Sequence, residues 1–448
     1  MKLQIGNFPV EDIQFGETLS YNDGILTINK KEALAFIKQD EHIIEADIFI
    51  VKPGDKVRLV PVKEAIEPRI KVEGGKTIFP GFIGEVSKAG EGITHALKGC
   101  SVLVVGKHWG GFQDGLIDMS GEGAKYTYFS KLRNIVLVAD TDEDFEKNEQ
   151  QKKNKALRLA GHKLAEYIGQ CVKDLIPKEI EEYKLESITK REKEILDLPS
   201  VVFVMQPQSQ MEEMGYNDLV YGWDANHMVP TFMHPNEVLD GAVVSGSFMP
   251  CSSKWSTYDF QNNMTIKRLY KEHGKTINFL GIIMSNLNVA LEQKKRAAIF
   301  VAQMAKSIGA DGAIVAEEGY GNPDADFIEC IVALENVGVK TVGITNECTG
   351  RDGQSQPLVT LDKKADAIVS CGNVSELIEL PAMENVIGEL ESLGRDGFSG
   401  GWSNDEILGP SVREDGSIII ENNAMFCGEQ VSGWSVKTVE EVLGGKLV

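Results

Sequence analysis

The sequence contains no run of apolar residues long enough to cross a membrane and no excess of basic charge. Its 448 residues carry a formal net charge of -21. A membrane helix needs about 20 consecutive apolar residues, and nucleic acid or an anionic membrane would repel so acidic a chain. The first residues also lack the pattern of a signal peptide. We therefore expect a cytoplasmic protein whose partners are neither nucleic acid nor membrane.

Paired cysteines are also missing. The seven cysteines are scattered along the chain, and none forms a Cys-x-x-Cys pair. This pattern favours a reducing compartment over a disulfide framework, and it gives no zinc motif. The glycine-rich segments match neither the phosphate loop nor the dinucleotide fingerprint. The sequence therefore predicts neither a metal nor a nucleotide cofactor.

The apolar segments that are present predict an α/β fold. A small β-rich region is predicted for residues 1–98, followed by α/β domains at 99–250 and 251–448, since a chain of this length exceeds what one core usually serves. Continuous apolar strands that alternate with amphipathic segments are typical of mostly parallel sheets with flanking helices. The predicted strands of this kind are 101–106, 134–140, 201–205, 277–284, 312–316, 339–345 and 367–370.

Polar loops after these strands are the candidate binding sites, because ligands of parallel sheets bind at the carboxyl ends of the strands. The acidic loop 317–324 lacks the ligand spacing of a calcium site. Its Glu317, Glu318 and Asn322 are predicted to line a site for a cationic substrate, with an ordinary acidic loop as the alternative. His108, in another such loop, is predicted to line the site as an acid or base, against a purely structural role.

Four aromatic residues also stand in segments that read as polar loops: Trp109, Trp223, Trp255 and Tyr258. Aromatic faces can hold an alkylammonium group by cation–π attraction. The alternative is that these side chains pack over domain edges.

The segment 241–254 has the residues that a self-processing site needs. A Ser or Cys on a tight turn can attack the preceding carbonyl, and elimination then leaves an amino-terminal pyruvoyl group. Ser247 follows the small Gly246, whereas Cys251 is the better nucleophile but follows Pro250, whose ring restricts the geometry. The alternative is an ordinary Ser-rich turn that satisfies local hydrogen bonds.

The chain as a whole resembles the alpha/beta proproteins of component B of glycine, sarcosine and betaine reductases, with the proline reductase proprotein as a more distant relative. The resemblance covers almost the whole chain. The segments that carry it are 62–69, 94–97, 115–121, 230–233, 240–242, 261–263, 317–324, 350–356, 370–372 and 381–383.

This resemblance implies a mechanism and partners. In the family, a proprotein is cleaved at a cysteine, and the second subunit begins with a pyruvoyl group that forms an imine with the substrate amine. A selenoprotein subunit completes component B. Its selenolate attacks the α-carbon, releases the amine and leaves a carboxymethyl-selenoether for a carrier selenoprotein downstream. The chain would thus be the substrate-binding subunit of an oxidoreductase acting on glycine, sarcosine, betaine or a related amine.

The sequence departs from the family at the processing position. The family's Asn-Cys pair is missing, and an ungapped alignment puts Phe248 where the processing cysteine belongs. Cleavage at Cys251, cleavage before Ser247 and no cleavage all remain open. An uncleaved chain is chemically coherent with betaine, whose quaternary nitrogen forms no imine and already leaves readily. The alternative functions are an unprocessed, non-catalytic amine-binding subunit and a metal-dependent hydrolase using the acidic loop.

Overall fold

A computed structural model of the chain describes residues 1–106, 114–141, 150–210, 217–246, 251–390, 410–427, 442–443 and 446–447. No helix in these ranges is both long and apolar enough to span a membrane. The strands before residue 190 are β1 (Lys2–Pro9), β2 (Asp12–Phe15), β3 (Ser20–Asn22), β4 (Ile25–Ile28), β5 (Ile43–Val51), β6 (Val57–Ile66), β7 (Arg69–Glu73), β8 (Gly92–Lys98), β9 (Cys100–Gly106), β10 (Gly115–Asp118), β11 (Arg133–Thr141) and β12 (Glu179–Lys184).

The later strands and the helices complete the described elements. The strands are β13 (Ser200–Gln206), β14 (Leu219–Val220), β15 (Trp223–Asp224), β16 (Thr231–Met233), β17 (Val243–Val244), β18 (Asn278–Met284), β19 (Gly312–Glu317), β20 (Lys340–Glu347), β21 (Ile368–Asn373), β22 (Leu377–Leu380), β23 (Asn385–Gly388), β24 (Ile418–Glu421), β25 (Val442–Leu443) and β26 (Lys446–Leu447). The helices are α1 (Lys30–Ile37), α2 (Gln150–Gly169), α3 (Lys193–Leu196), α4 (Pro235–Leu239), α5 (Thr257–Gln261), α6 (Met264–Glu272), α7 (Leu291–Ser307) and α8 (Asn322–Asn336).

The central sheet has the strand order β16-β18-β13-β19-β20-β21. The last five strands of this order run parallel, and β16 pairs antiparallel at the edge. Its inner strands β18, β13 and β19 are largely apolar, as expected where both faces of a sheet are covered. Val202 and Val204 pack under α7 and α8, whereas Phe203 and Met205 face a second core that contains Trp255.

The second large sheet has the order β10-β6-β9-β11-β5, and β23 pairs in parallel with the first half of β6. Helix α2 packs against it through an apolar stripe that includes Leu157 and Leu164. A four-stranded sheet, β12-β1-β8-β7, lies in the same part of the chain.

The prediction of an α/β fold is confirmed, but the expectation of mostly parallel sheets is wrong. The sheets are mixed, with antiparallel pairs such as β11–β5 and β6–β9. Parallel neighbours need a crossover of about a dozen residues or more, and before residue 141 many strands follow one another too closely for that. The predicted division into domains stays a prediction. Strands from both sides of residue 250, β13 and β18 among them, share the central sheet.

A buried ion pair joins the four-stranded sheet to the end of α4. Lys71 on β7 contacts the carboxylate of Asp240, and its Nζ also donates to the Thr94 hydroxyl at 3.1 Å. The backbone N–H of Gly90 donates to the same carboxylate at 2.7 Å. Lys71 is 4% exposed and Asp240 is 1% exposed. Removing either charge would therefore leave the other without compensation in the interior.

We predict that Asp240→Ala lowers the free energy of unfolding by about 3–5 kcal/mol, because it leaves the buried Lys71 ammonium without its counter-ion. Urea denaturation followed by circular dichroism measures the change. Glu384→Ala is the matched control, since it breaks a Lys56–Glu384 pair whose side chains are 66% and 63% exposed; it should cost at most about 1 kcal/mol. Equal losses in the two variants would contradict the structural role assigned to the buried pair.

Candidate substrate site at the edge of the central sheet

The apolar strands of the central sheet end in polar residues. Gln206 ends β13, Glu317 ends β19, and Asn346 lies near the end of β20. The register pairs Gln206 with Glu317, and β20 runs alongside β19 in the next position. All three residues therefore lie at the carboxyl edge, where parallel sheets bind ligands, but Gln206 and Glu317 share one face of the sheet and Asn346 lies on the other.

Glu317 and Glu318 lie at this edge but on opposite faces of the sheet. Successive side chains of a strand alternate between faces. Val315 belongs to the core under α7 and α8, whereas Ala316 belongs to the core that contains Trp255. Glu317 therefore continues the first face and Glu318 the second. The two predicted residues lie at the same level along the strands, but their side chains are on opposite faces of the sheet.

Glu317 and Asn322 belong to a network that fastens the start of α8. The Thr345 hydroxyl donates to Glu317 Oε1 at 2.9 Å. Burial raises the pKa of Glu317 well above its usual range, and the negative charge of Asp324 is the second cause of this rise. Asn322 Oδ1 accepts a hydrogen bond from Lys294 Nζ at 2.8 Å. Lys294 also forms a buried ion pair with Asp326 on this face of the sheet. Asn322 is thus held by contacts between α7 and α8.

An open cleft lies beside this network. It has a volume of 460 Å³ and is lined by residues of α7 and by polar residues that include Gln210 and Asn288. Gln210 Nε2 donates to Asn322 Oδ1 at 2.7 Å and to the Asn288 carbonyl oxygen at 3.0 Å. The floor of the cleft is therefore tied to the start of α8.

Glu318 lies on the other face, in a pair of buried carboxyl groups. It accepts hydrogen bonds from the backbone N–H groups of Gln208, at 2.7 Å, and Trp255. Its neighbour Asp218 accepts from the N–H of Gly246. Burial, and next the charge of Glu318, raises the pKa of Asp218 well above its usual value. Burial also raises the pKa of Glu318, and the hydrogen bonds from Asp218 and from the two backbone N–H groups oppose that rise. We infer that Asp218 holds the proton of the pair, because Glu318 has two backbone donors and Asp218 has one.

A further buried carboxylate, Glu64, stands on β6 of the second large sheet. It accepts from the Thr257 hydroxyl at 3.2 Å and the Thr257 N–H at 3.0 Å. The same hydroxyl oxygen accepts from the Ser245 N–H at 3.1 Å, and His162 Nε2 lies 3.1 Å from it. Burial raises the pKa of Glu64, and the nearby Lys254 ammonium opposes that rise most strongly. The candidate site thus lies where the two large sheets approach each other.

Glu64 was not predicted from the sequence as a functional residue. The available signal was the charged pair Lys63-Glu64 inside an otherwise apolar strand. Charged residues are rarely fully buried unless they are paired, so such a pair in a core strand points to a polar site beneath the sheet.

Cys251 is placed as a structural residue. It is fully buried, its thiol donates to the Asn423 carbonyl oxygen at 3.0 Å, and its own carbonyl oxygen accepts from the Cys427 N–H at 2.7 Å. Burial raises the pKa of the Cys251 thiol to about 12. Since the thiolate is the nucleophile, this environment does not fit the formation of a pyruvoyl group at Cys251.

The other predicted residues divide into two groups. His108, Ser247 and Trp109 lie outside the described residues. Trp255 lies in a segment outside helices and strands, as expected, but its ring packs edge-on against Phe260 in the second core of the central sheet. The expectation of a loop is wrong for Tyr258, which belongs to α5. Among the residues that the structure describes, no group of three or more His, Cys, Asp or Glu is placed to hold a metal ion.

Comparison with known proteins decides the family. Residues 1–440 match the family of glycine/sarcosine/betaine reductase component B subunits. The chain belongs to this family. It is therefore an oxidoreductase component of the glycine and betaine reductase type, as the resemblance implied.

Component B relatives match along their entire length or nearly so. Betaine reductase complex component B subunit alpha from Peptoclostridium acidaminophilum is 75% identical over 442 residues, which are 98% of this chain and 100% of the relative. Glycine reductase complex component B subunits alpha and beta from Acetoanaerobium sticklandii is 41% identical over 98% of this chain and 100% of the relative. The D-proline reductase proprotein PrdA of the same organism is 20% identical over 77% of this chain and 54% of the relative. No solved structure matches the chain.

His162 gives this component B subunit a testable acid sensitivity. The ring is fully buried between Phe79 and Phe82, and burial lowers the pKa of His162 to about 3. Below about pH 6.5 the His162 imidazole becomes protonated in the unfolded chain but stays neutral in the native protein. Stability contributed by the neutral ring is therefore lost as the pH falls from about 6.5 towards 3.

We predict that His162 accounts for about 2 kcal/mol of the stability lost between pH 7 and pH 5. His162→Gln should reduce the difference between the two unfolding free energies by that amount, as measured by urea titration at each pH. His227→Gln replaces an exposed histidine and serves as the control. The same pH dependence in wild type and His162→Gln would refute the assignment.

Proposed function

We propose that this chain is the substrate-binding subunit of a betaine-type reductase complex, acting on an N-methylated glycine together with a selenoprotein subunit of component B. The observation that carries the proposal is the 75% identity to a betaine reductase component B subunit alpha, against 41% and 38% for the glycine and sarcosine relatives. Seven free thiols fit a reducing, cytoplasmic setting for the complex.

The proposed reaction needs no imine. The selenolate of the partner attacks the α-carbon of betaine, a carbon–selenium bond forms, and the electron pair of the carbon–nitrogen bond leaves with nitrogen. Trimethylamine departs as a neutral molecule, and the carboxymethyl group remains on selenium for transfer to a carrier selenoprotein. A quaternary nitrogen carries its positive charge from the start, so neither a pyruvoyl carbonyl nor a proton donor is required to make it a leaving group.

The proposal includes an uncleaved chain. Cys251 is buried, and burial raises the pKa of its thiol to about 12, which argues against processing at that residue. The names of the relatives agree, since the glycine reductase proteins are described as subunits alpha and beta, whereas the betaine and sarcosine proteins are each a single subunit alpha. Glu318 lines the proposed substrate site, while Glu317 and Asn322 support the sheet edge. His108 and Ser247 stay predictions.

We predict a single species near the full-length mass of 49.2 kDa when the protein is purified anaerobically and analysed by intact mass spectrometry. Cys251→Ala should give the same single species, because the thiol takes no part in processing. Two fragments that meet at residue 247 or 251, the second blocked by a pyruvoyl group, would contradict the uncleaved form.

We also predict that component B containing this chain, with its partner proteins, releases trimethylamine from betaine and leaves glycine unconsumed. Prior treatment with borohydride, which reduces carbonyl and imine groups, should leave the rate unchanged. A glycine reductase component B assayed in parallel is the control that borohydride should inactivate. Turnover of glycine in preference to betaine would overturn the proposed substrate. Betaine binding without turnover would instead support a non-catalytic amine-binding subunit.

A further inference from the structure

Four buried polar groups beside Glu318 have no hydrogen-bond partner within the described part of the chain. They are the Gln208 side-chain amide, the Ser252 hydroxyl, the Trp255 indole N–H and the Asn346 side-chain amide. All four residues are at most 1% exposed. A buried polar group without a partner costs about 1–3 kcal/mol, and nearly all buried polar groups in folded proteins are paired. Four such groups in one place therefore call for a ligand.

The chain path brings the backbones of Gln208, Ser252 and Trp255 close to Glu318 at the sheet edge. The backbone N–H groups of Gln208 and Trp255 bind the two oxygens of the Glu318 carboxylate, so both residues flank it. Ser253, next to Ser252, accepts a hydrogen bond at 2.9 Å from the N–H of Gly319.

Asn346 reaches the same side by strand register. β19 and β20 pair Ala316 with Ile344, so Asn346 stands beside Glu318 two residues further along. Ile344 packs against the core that contains Trp255. Because side chains two residues apart share a face, Asn346 points to the face of Glu318.

The chemistry of the four groups selects an acceptor-rich ligand. An indole N–H can only donate, and each of the other three residues offers at least one donor, whereas the two amide oxygens, which are also unpaired, can accept. A carboxylate accepts several hydrogen bonds at once, and such bonds are stronger than those between neutral groups. The neighbouring Glu318, which carries the negative charge of its pair, would attract a cation instead.

We propose that this edge binds the substrate as a zwitterion, with its carboxylate on Gln208, Ser252, Trp255 and Asn346 and its cationic nitrogen towards Glu318. The inference rests on the proposed function. It names the residues that select a ligand with both a carboxylate and a cationic nitrogen over a simple amine. The opposite face is a poorer candidate, because Lys294, Asn322 and Asp326 already bind one another there.

The test measures binding of betaine and of tetramethylammonium, which keeps the cation and lacks the carboxylate, to component B by calorimetry. Trp255→Phe removes the indole donor and keeps an aromatic ring against Phe260, and Asn346→Leu removes the amide at similar volume. Each of these two variants should weaken betaine binding about tenfold to hundredfold. Binding of tetramethylammonium, measured by its competition with betaine, should be unchanged. Glu318→Gln should weaken both ligands.

Gln206→Leu is the matched control, because Gln206 is also buried at a strand end with an unpaired oxygen but follows Val204 on the opposite face. It should bind betaine like wild type. Melting temperatures of all variants show that the fold is kept. Unchanged betaine affinity in both Trp255→Phe and Asn346→Leu, or an equal loss for tetramethylammonium, would overturn the inference.

Failure of the proposed function gives a different result. If wild-type component B binds glycine and not betaine, the betaine assignment is wrong, and the same variants tested with glycine and methylamine then decide the carboxylate site separately. If wild type binds none of these ligands, both the proposed function and the inference are refuted.

Discussion

The buried carboxylate of Glu318 holds together the edge of the central sheet and the segment that covers it. Gln208, which follows β13, and Trp255, which precedes α5, donate their backbone N–H groups to its two oxygens. A buried charge without such partners would be strongly destabilising. Because the donors belong to the backbone, the path of the chain is fixed here, and with it the positions of Ser252 and the Trp255 indole.

The position of this site between two sheets bears on the chain cleavage that the resemblance implies. Glu64 comes from the second large sheet, Glu318 from the central sheet, and α5 bridges them through Thr257. The central sheet itself takes β13 from before residue 250 and β18 from after it, paired along their length. A chain cut near residue 250 would therefore stay interwoven, so cleaved and uncleaved members of the family can share one architecture.

Much of the strand content could be predicted from the sequence, because long apolar runs leave few alternatives. The predicted strand 201–205 is found as Ser200–Gln206, and 312–316 as Gly312–Glu317. The direction of pairing could not be predicted, since it depends on which strands become neighbours. The acidic loop that begins at Glu317 was predicted as a candidate site, but the sequence did not show that Glu317 and Glu318 lie on opposite faces of the sheet. Gln208 and Asn346 lie in polar loops that follow predicted strands, but nothing in the sequence distinguished them within those loops, because an amide is informative only when it is buried without a partner.

The division of labour within the proposed site follows from how charge moves during the reaction. As the carbon–nitrogen bond of betaine breaks, the positive charge on nitrogen disappears, so attraction to Glu318 favours the ground state over the transition state. Groups that bind both states equally improve affinity without slowing the chemical step. The substrate carboxylate keeps its charge throughout, and neutral donors such as Trp255 and Asn346 suit this role. The proton on Asp218 limits the carboxyl pair to one negative charge, which keeps the attraction for the cationic nitrogen of the bound substrate modest.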